Sequence, residues 1–371
     1  MKHGIKGIPA HPGTSISSLV LILFWACSNP GPQSQSVMSN PADSLGAISK
    51  PLISHLYTAD PSAHVFEGRI YIYPSHDYEA GMPADDLGSH FAMRDYHVFS
   101  MDSPDSDVTD HGIGLDIKDV PWAKRQMWAP DAAFKDGRYY LYFPAKDQDD
   151  VFRIGVAVSN SPAGPFEARS EPITGSYSID PAVFRDDDGS YYLYFGGIWG
   201  GQLQRWSSGN YDPNGSSSDL GKPDAPAISP RVARLTGDML HFAEPVREIS
   251  IIDDAGRPIL GGDHDRRFFE APWIHKYQGT YYFSYSTGNT HFIVYATGDK
   301  PYGPFTYRGV ILNPMLGWTT HHSILEFDGK WYLFYHDSQL SGGQTHLRNV
   351  KVTELTHQPD GNIMTIDPYR K

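Results

Sequence analysis

The sequence predicts an all-β protein folded as a five-bladed β-propeller. Three observations predict this fold: a strand–turn–strand pattern that occurs five times, a composition rich in aromatic and turn-forming residues, and the lack of a long amphipathic helical pattern. Of 371 residues, 13% are aromatic, and glycine and proline contribute 36 and 29 residues. Such a composition is typical of many short strands joined by turns. A β-sandwich with coincidentally similar hairpins is the alternative.

The repeat consists of an apolar strand, a turn that contains glycine, and a second strand rich in aromatic residues. Its five copies are EGRIYIYP from Glu67, DGRYYLYF from Asp136, DGSYYLYF from Asp188, QGTYYFSY from Gln278 and DGKWYLFY from Asp328. Glycine takes a positive φ in such a turn without steric cost, which favours a tight hairpin. A blade needs about 40 to 50 residues, so five blades fill the chain from about residue 50 to its end.

Alignment of the five copies places one residue of each at the start of the first strand: Asp60, Trp128, Asp180, Glu270 and His321. Because that strand lines the central axis of a propeller, these five side chains are expected to converge. Asp60 and His321 lie eight residues before their turn glycines, whereas the others lie nine before. A turn shorter by one residue would account for this difference. Three of the five residues are carboxylates, and a site shared by carboxylates shifts their pKa values, as catalytic sites do.

Each carboxylate also has a structural interpretation. Asp60 and Asp180 precede prolines, and aspartate before proline often only forms a turn. Glu270 is alternatively a solvated charge at a strand end. Asp131 lies three places beyond the converging position and is interpreted as structural. Three carboxylates at matching positions of one repeat favour the catalytic interpretation.

The N-terminus resembles a lipoprotein-type signal peptide that ends at Cys27, the only cysteine. Lys2 and Lys6 precede an apolar run, residues 19–26, that is too short to span a bilayer as a stable helix. We therefore expect export across the inner membrane of a bacterium and a lipid anchor at Cys27, in the cell envelope or periplasm. Simple secretion with an unmodified cysteine and an uncleaved anchor are the alternatives.

The rest of the chain is predicted to form a tether and one catalytic domain. Residues 28–49 are rich in Ser, Pro, Gly and Asn and are expected to be flexible, and residues 50–371 hold the propeller. The formal net charge of −13 argues against binding of nucleic acid phosphates. The lipid anchor is then the one expected contact with a membrane.

Five segments together resemble glycoside hydrolase family 43. They are YTADPSAHVFEGRIYIYPSHD, QMWAPDAAFKDGRYYLYF, SIDPAVFRDDDGSYYLYFGG, FFEAPWIHKYQGTYYFSYS and THHSILEFDGKWYLFYH. The segment from His76 to Ser103 is most similar to the branch that contains β-xylosidases. The resemblance implies a five-bladed propeller that cleaves xylose- or arabinose-containing plant polysaccharides with inversion.

The resemblance also implies roles for single residues. Asp60 matches the general base of the family, Glu270 its general acid, and Asp180 the residue that tunes the pKa of the acid and orients it. Trp128 is expected to form one wall of the sugar pocket. Arg348, in THLRNV, matches an arginine that contacts the substrate in family xylosidases, and an ordinary outer-strand charge is the alternative.

His321 matches a histidine at the propeller centre. In some family members this histidine helps to hold a calcium ion, largely through water, so the resemblance implies Ca²⁺ as a cofactor here. A neutral histidine hydrogen-bonded to a catalytic carboxylate is the alternative interpretation of His321.

We therefore predict an inverting, exo-acting β-1,4-xylosidase that releases xylose from xylo-oligosaccharides. An α-L-arabinofuranosidase that acts on arabinoxylan or arabinan side chains is the second hypothesis. A non-catalytic glycan-binding propeller is the third, and the presence of all three carboxylates argues against it. The sequence leaves open whether the protein is a homo-oligomer in which a neighbouring subunit supplies loops that close the pocket.

Overall fold

The computed structural model describes residues 46–369. Within this range the chain forms 20 strands in five sheets, and its helical segments are three short 3-10 turns, Ile117–Asp119, Trp199–Gly201 and Leu203–Trp206. None of the helical segments in this part of the chain has the length and apolar character needed to cross a membrane. The predicted five-bladed β-propeller is confirmed.

The first three blades are four-stranded and antiparallel, with strands in chain order from the inside outwards. Blade 1 consists of β1 (Tyr57–Phe66), β2 (Arg69–Asp77), β3 (Asp95–Met101) and β4 (Thr109–Asp116). Blade 2 consists of β5 (Asp131–Lys135), β6 (Arg138–Lys146), β7 (Phe152–Ser159) and β8 (Glu167–Ala168). Blade 3 consists of β9 (Ala182–Arg185), β10 (Tyr191–Phe195), β11 (Arg231–Arg234) and β12 (Arg247–Glu248).

The last two blades differ in strand number. Blade 4 consists of β13 (Ile251–Ile252), β14 (Glu270–Tyr277), β15 (Thr280–Ser286), β16 (Ile293–Gly298) and β17 (Phe305–Leu312). In it β13 lies at the outer edge and pairs in parallel with β17. Blade 5 consists of β18 (His322–Phe327), β19 (Lys330–Asp337) and β20 (Asn349–Leu355).

The innermost strands close a ring. Strand β1 contacts β5, β5 contacts β9, β9 contacts β14, β14 contacts β18, and β18 contacts β1. The chain ahead of β1 joins the first blade to the last, since the backbone N–H of Leu52 donates to the carbonyl of Val350 at 2.8 Å. Strand starts near the axis therefore face one another across the centre, which positions the site described below.

The two chain ends of the described range meet. Ala47 forms a β-bridge with Tyr369, and the backbone N–H of Ile48 donates to the carbonyl of Pro368 at 3.0 Å. Residues 46–49, which the sequence assigns to the tether, are thus joined to the C-terminal segment. The predicted signal peptide, Cys27 and tether residues 28–45 lie outside the described residues.

Buried tyrosines on the second strands explain the aromatic character of the repeat. In four blades such a tyrosine donates its hydroxyl to a backbone carbonyl of a distant loop: Tyr73 to Pro162, Tyr142 to Met239, Tyr194 to Pro301, and Tyr285 to Arg266. The first three of these acceptors lie on the following blade. Each ring fills the apolar space between sheets, while its hydroxyl satisfies a carbonyl that burial would otherwise leave unpaired.

Candidate active site

The residues predicted to converge do meet at one end of the propeller axis. These five residues, Asp60, Trp128, Asp180, Glu270 and His321, line one cavity of about 290 Å³, and Arg348 lines it too. The volume is at the small end of the range for ligand pockets. The structure thus brings together every site residue that the sequence predicts.

A bulge in the innermost strand shapes the backbone under the carboxylates. Register shifts occur between Ala59 and Ser62 on β1 and between Glu270 and Trp273 on β14. Asp60 and Ala271 are the residues of these bulges that adopt left-handed backbone angles, with φ of 50° and 58°. Ala271 is therefore the structural counterpart of Asp60, and Glu270 lies one residue earlier in its blade.

This offset corrects the expected explanation of the one-residue difference in spacing. The turns of blades 1 and 4 have the same length, since Phe66 pairs with Arg69 and Tyr277 pairs with Thr280. Turn length is therefore not the cause of the offset of Glu270. In blade 3, by contrast, Arg185 pairs with Tyr191, so a longer turn does account for the extra residue between Asp180 and its turn glycine. Strand side chains alternate between faces, but within a bulge the ladder is locally disrupted, so adjacent positions of two blades both aim at the axis.

The left-handed residues ahead of proline are held by hydrogen bonds. Such backbone angles cost a non-glycine residue about 1 to 3 kcal/mol, so they persist only where the surrounding structure holds them in place. The N–H of Asp60 donates to Nδ1 of His336 at 3.0 Å, and the N–H of Ala271 donates to Oδ2 of Asp180 at 2.9 Å. Asp180 itself has φ of 56° and also precedes a proline. Asp180 thus fixes the peptide group that follows Glu270.

Asp60 is buried and ionised by its neighbours. Nη1 of Arg348 donates to Oδ1 of Asp60 at 2.8 Å. Burial opposes the charge of Asp60, but the positive charge of Arg348 outweighs burial and lowers the pKa of Asp60 below its ordinary value. Asp60 is accordingly a carboxylate at neutral pH.

Arg348 is clamped on its other side by Asp77. Its Nε donates to Oδ2 of Asp77 at 2.8 Å and its Nη2 donates to Oδ1 at 2.7 Å, a bidentate pair that fixes the guanidinium plane. Nη1 also donates to the Thr319 hydroxyl at 3.2 Å. With 3% of its surface exposed, Arg348 is not an ordinary outer-strand charge, so that alternative is wrong. Arg348 lines the cavity and positions Asp60.

The half-buried Glu270 and the buried Asp180 are neighbouring carboxyl groups that affect each other's ionisation. Burial and the charge of Asp60 raise the pKa of Glu270 to about 8. Burial and the charges of Glu270 and Asp60 also raise the pKa of Asp180. Asp180 accepts a backbone N–H, which favours its ionised form, whereas the carboxyl group of Glu270 has no hydrogen-bond partner among residues 46–369. Both carboxyl groups therefore resist ionisation, and the backbone hydrogen bond favours the charged form at Asp180 rather than at Glu270.

His321 is buried at the axis with both ring nitrogens free of hydrogen bonds within the described part of the chain. Its Nε2 lies 3.9 Å from Oδ2 of Asp180, which is too long for a hydrogen bond. Burial, only partly opposed by the charge of Asp60, lowers the pKa of His321, so the imidazole is neutral. The alternative of a histidine hydrogen-bonded to a catalytic carboxylate is therefore wrong. A neutral, unpartnered imidazole fits contact with water or with a hydrated cation.

Aromatic side chains form the cavity walls. Trp128 is packed between Phe91 and Phe152, and its Nε1 donates to the carbonyl of Phe91 at 2.8 Å. Phe269, the residue directly before Glu270, packs with Trp199 and Trp318, with ring centroids 5.3 and 5.6 Å away. Flat apolar rings suit the faces of a sugar, while the polar groups at the axis suit its hydroxyls.

Two loops approach each other over Trp128. A side-chain carbon added to Gly200 would lie 2.9 Å from the carbonyl oxygen of Leu87, and one added to Gly88 would lie 2.6 Å from the Trp128 ring. The loop between β2 and β3 of blade 1 therefore touches the turn after β10 of blade 3. These loops belong to the same chain, so a pocket wall forms here without a neighbouring subunit.

Asp131 fastens three blades together, as its structural interpretation predicts. Its Oδ1 accepts hydrogen bonds from Ser62, His64 and its neighbour's N–H, and its Oδ2 accepts the N–H of Val183 at 2.5 Å. Ser62 and His64 lie on blade 1 and Val183 lies on blade 3. Asp131 does not line the cavity.

Comparison with known proteins identifies the family. The family model described as Glycosyl hydrolases family 43 matches residues 48–363, nearly the whole described range. The chain belongs to glycosyl hydrolase family 43. It is therefore a glycoside hydrolase, as the sequence motifs predict.

The chain is highly similar to several family 43 relatives, and the matches span nearly the whole length of those relatives. The chain is 61% identical to xylosidase/arabinosidase 43A of Humicola insolens, over 86% of this chain and 99% of that protein. It is 54% identical to a β-xylosidase of Xylanibacter ruminicola, over 84% of this chain and 97% of that protein. The predicted similarity to the β-xylosidase branch is confirmed.

A solved family 43 structure has the same architecture. It is a β-xylosidase/α-arabinofuranosidase from a compost microbial metagenome, crystallised with xylotriose in a calcium-free form, and it is 72% identical to this chain. The TM-score is 0.87, over 88% of this chain and 99% of that chain.

Two further residues of this family 43 site, Asp77 and His336, were missed at the sequence level. Both occur in a His-Asp pair at the end of a second strand, His76-Asp77 in blade 1 and His336-Asp337 in blade 5. This repeated pair of polar residues after an aromatic strand is the signal that could have indicated them. Their partners, Arg348 and the backbone of Asp60, lie 271 and 276 residues away and cannot be inferred from spacing.

Proposed function

We propose that the protein is an inverting, exo-acting β-1,4-xylosidase with Asp60 as general base and Glu270 as general acid. The observation that carries the proposal is the opposite shift of two carboxyl pKa values in one cavity. Arg348 keeps Asp60 ionised, while burial and the charge of Asp60 raise the pKa of Glu270 to about 8. Environments that separate two carboxyl pKa values are the usual basis of acid and base assignments.

The proposed reaction is a single displacement. The Asp60 carboxylate takes a proton from a water molecule, whose oxygen attacks the anomeric carbon of the terminal xylose. Glu270 donates its proton to the glycosidic oxygen as the bond to the anomeric carbon breaks. Xylose leaves with the α configuration, and the shortened oligosaccharide leaves as the alcohol. Such a reaction needs carboxyl groups roughly 6.5 to 9.5 Å apart, so that the water fits between them.

Asp180 is proposed to tune and orient the acid. Its carboxylate accepts the N–H of Ala271, the residue bonded to Glu270, so it fixes the backbone from which the acid extends. Its negative charge also disfavours ionisation of Glu270. We propose that Trp128 forms one wall of the xylose subsite. We also propose that Arg348 contacts the substrate in addition to its hydrogen bond with Asp60.

Exo-acting cleavage of xylo-oligosaccharides is supported by the size of the cavity and by the similarity to relatives with β-xylosidase names. The cavity of about 290 Å³ suits a terminal sugar rather than the interior of a polymer chain. The related structures that contain xylotriose come from proteins 72% and 59% identical to this chain.

An α-L-arabinofuranosidase activity is the second candidate. Relatives that are 61% and 58% identical to this chain carry the name xylosidase/arabinosidase. Steady-state rates on an aryl β-xyloside and an aryl α-L-arabinofuranoside separate the candidates. We expect the higher kcat/KM on the xyloside, and a much higher value on the arabinofuranoside would replace the first candidate with the second.

Calcium is proposed to bind at the axis through water near His321. The unpartnered ring nitrogens of His321 and the negative charges of Asp60 and Asp180 fit a hydrated divalent cation. Bound there, the cation would supply positive charge beside the carboxylates. We expect chelation to lower the rate and calcium to restore it, together with a rise in thermal unfolding temperature on calcium addition. Unchanged rate and unfolding temperature would refute the proposal.

Export and lipid anchoring at Cys27 are proposed from the sequence alone. Expression of the full chain in a bacterial host with a radiolabelled fatty acid should label the wild type, and Cys27→Ser should abolish the label while leaving xyloside hydrolysis intact. Equal labelling of both forms, or of neither, would contradict the anchor.

A further inference from the structure

Blade 1 carries a cluster of metal-ligand side chains away from the axis. One candidate ligand atom each from His76, Asp95 and His97 lies within 4.8 Å of the other two. His76 is on β2, and Asp95 and His97 are two residues apart on β3, so they share one face of the sheet. None of the three lines the catalytic cavity.

The cluster has the orientation that metal-binding histidines need. Nδ1 of His97 lies 3.1 Å from Oδ1 of Asp110, which fixes the ring and leaves its Nε2 without a partner among residues 46–369. Asp110 is itself held by the N–H of Gly112 at 2.7 Å and by His55 at 2.8 Å. A carboxylate that orients a histidine in this way is the usual second layer of a metal site.

We propose that His76, Asp95 and His97 bind a divalent transition-metal ion of the Zn²⁺ type, with water as a further ligand. Two imidazoles and one carboxylate suit Zn²⁺, whereas Ca²⁺ and Mg²⁺ prefer oxygen ligands alone. The side chains are 18%, 13% and 16% exposed, so solvent and an ion reach them.

The contact between His76 and Asp95 is compatible with this site. Nδ1 of His76 lies 2.6 Å from Oδ1 of Asp95, a separation bridged by one proton. In a tetrahedral site the metal would replace that proton and hold two ligand atoms roughly 3.3 Å apart. A shift of this size needs only a side-chain rotation.

The metal site contains none of the proposed catalytic residues, but it lies next to Asp77, which holds Arg348 in place beside Asp60. His76 and Asp77 are consecutive on β2, and consecutive strand residues point to opposite faces. Asp77 accepts two hydrogen bonds from Arg348, so a metal ion bound at His76 would stabilise the end of β2 that carries Asp77. We therefore expect Zn²⁺ to raise the temperature of thermal unfolding.

Zinc titration of the metal-free full chain tests the site. Calorimetry with ZnCl₂ at neutral pH should give one tight equivalent in the wild type. His76→Gln and His97→Gln should each weaken that binding at least tenfold and should abolish the zinc-dependent rise in unfolding temperature. X-ray absorption at the zinc edge should report two imidazole nitrogens and additional oxygen ligands.

Two control variants separate this site from other histidines. His111→Gln removes a blade 1 histidine that contacts Ser100 at 2.8 Å, and His321→Gln removes the histidine at the axis. Both should keep the zinc equivalent if they remain folded by circular dichroism. Loss of zinc binding in His321→Gln with retention in His97→Gln, or no zinc binding by the wild type, would overturn the proposal.

Discussion

The guanidinium of Arg348 donates from Nη1 to Oδ1 of Asp60 at 2.8 Å, which joins the last blade to the first at the propeller axis. The same guanidinium is held in plane by the carboxylate of Asp77. Asp60 is thus kept ionised by the positive charge of Arg348, whose position is fixed by Asp77. The proposed base owes its protonation state to a contact between residues 288 positions apart in the chain.

Replacement of Arg348 should move the acidic limb of the pH profile. Arg348 lowers the pKa of Asp60, and loss of an adjacent arginine raises a carboxyl pKa by about 1 to 3 units. Arg348→Met should therefore shift the acidic limb of kcat/KM to higher pH and lower the plateau by roughly a hundredfold. Arg348→Lys should shift the limb less, because it keeps the charge but loses the bidentate geometry.

The exposed pair of Arg308 and Asp254 provides a matched control for Arg348. Arg308→Met should leave both limbs of the profile in place, since exposed ion pairs contribute little. An unchanged acidic limb in Arg348→Met, with the protein folded, would show that Arg348 does not set the ionisation of Asp60.

The basic limb of the profile should report Glu270. Its pKa is raised to about 8, so the group is protonated below that pH and activity falls as pH rises through about 8. Asp180→Asn removes a neighbouring negative charge and should move this limb to lower pH by about one unit, with a lower kcat. A basic limb that stays in place in Asp180→Asn would remove the tuning role of Asp180.

Loss of the proposed acid should depend on the leaving group. Glu270→Ala should reduce hydrolysis of xylobiose by roughly 10² to 10⁴-fold, because its alcohol leaving group needs a proton. An aryl xyloside with an acidic phenol leaves without that proton and should lose much less. Parallel kinetics on the two substrates check this, and equal losses on both would contradict the acid assignment.

Asp131 should matter for stability rather than for the pH profile. It accepts hydrogen bonds from residues of three blades, and an amide cannot accept at both positions. Asp131→Asn should lower the free energy of unfolding by about 3 kcal/mol, measured by urea denaturation. Asp187→Asn is the control, because Asp187 is 82% exposed and its ion pair with Lys276 should contribute little. A pH profile displaced in Asp131→Asn would instead indicate a catalytic role.

The blades and the convergence of the carboxylates could be predicted because both follow from local patterns. A turn glycine between an apolar and an aromatic strand marks each blade, and a repeat implies matching positions. The position of Glu270 relative to Asp60 was harder to predict from the sequence. The bulge that offsets them depends on backbone angles at Asp60 and Ala271, which the spacing from the turns does not reveal.

Contacts between distant segments could not be predicted from one sequence. The clamp of Asp77 on Arg348 and the bond from Asp60 to His336 join residues from opposite ends of the domain. The aromatic wall of Trp199, Phe269 and Trp318 likewise comes from three separate loops or strand starts. The first two contacts depend on ring closure, which brings the first and last blades together, whereas the aromatic wall joins segments of neighbouring blades between β10 and β18.

The anomeric form of the first product tests the central account most directly. Proton NMR of xylobiose hydrolysis, recorded faster than mutarotation, distinguishes inversion from retention. Asp60 acting as a base on water opposite the acid Glu270 predicts that α-xylose appears first. Initial release of β-xylose would require a covalent intermediate and would contradict the assignment of Asp60 as a general base.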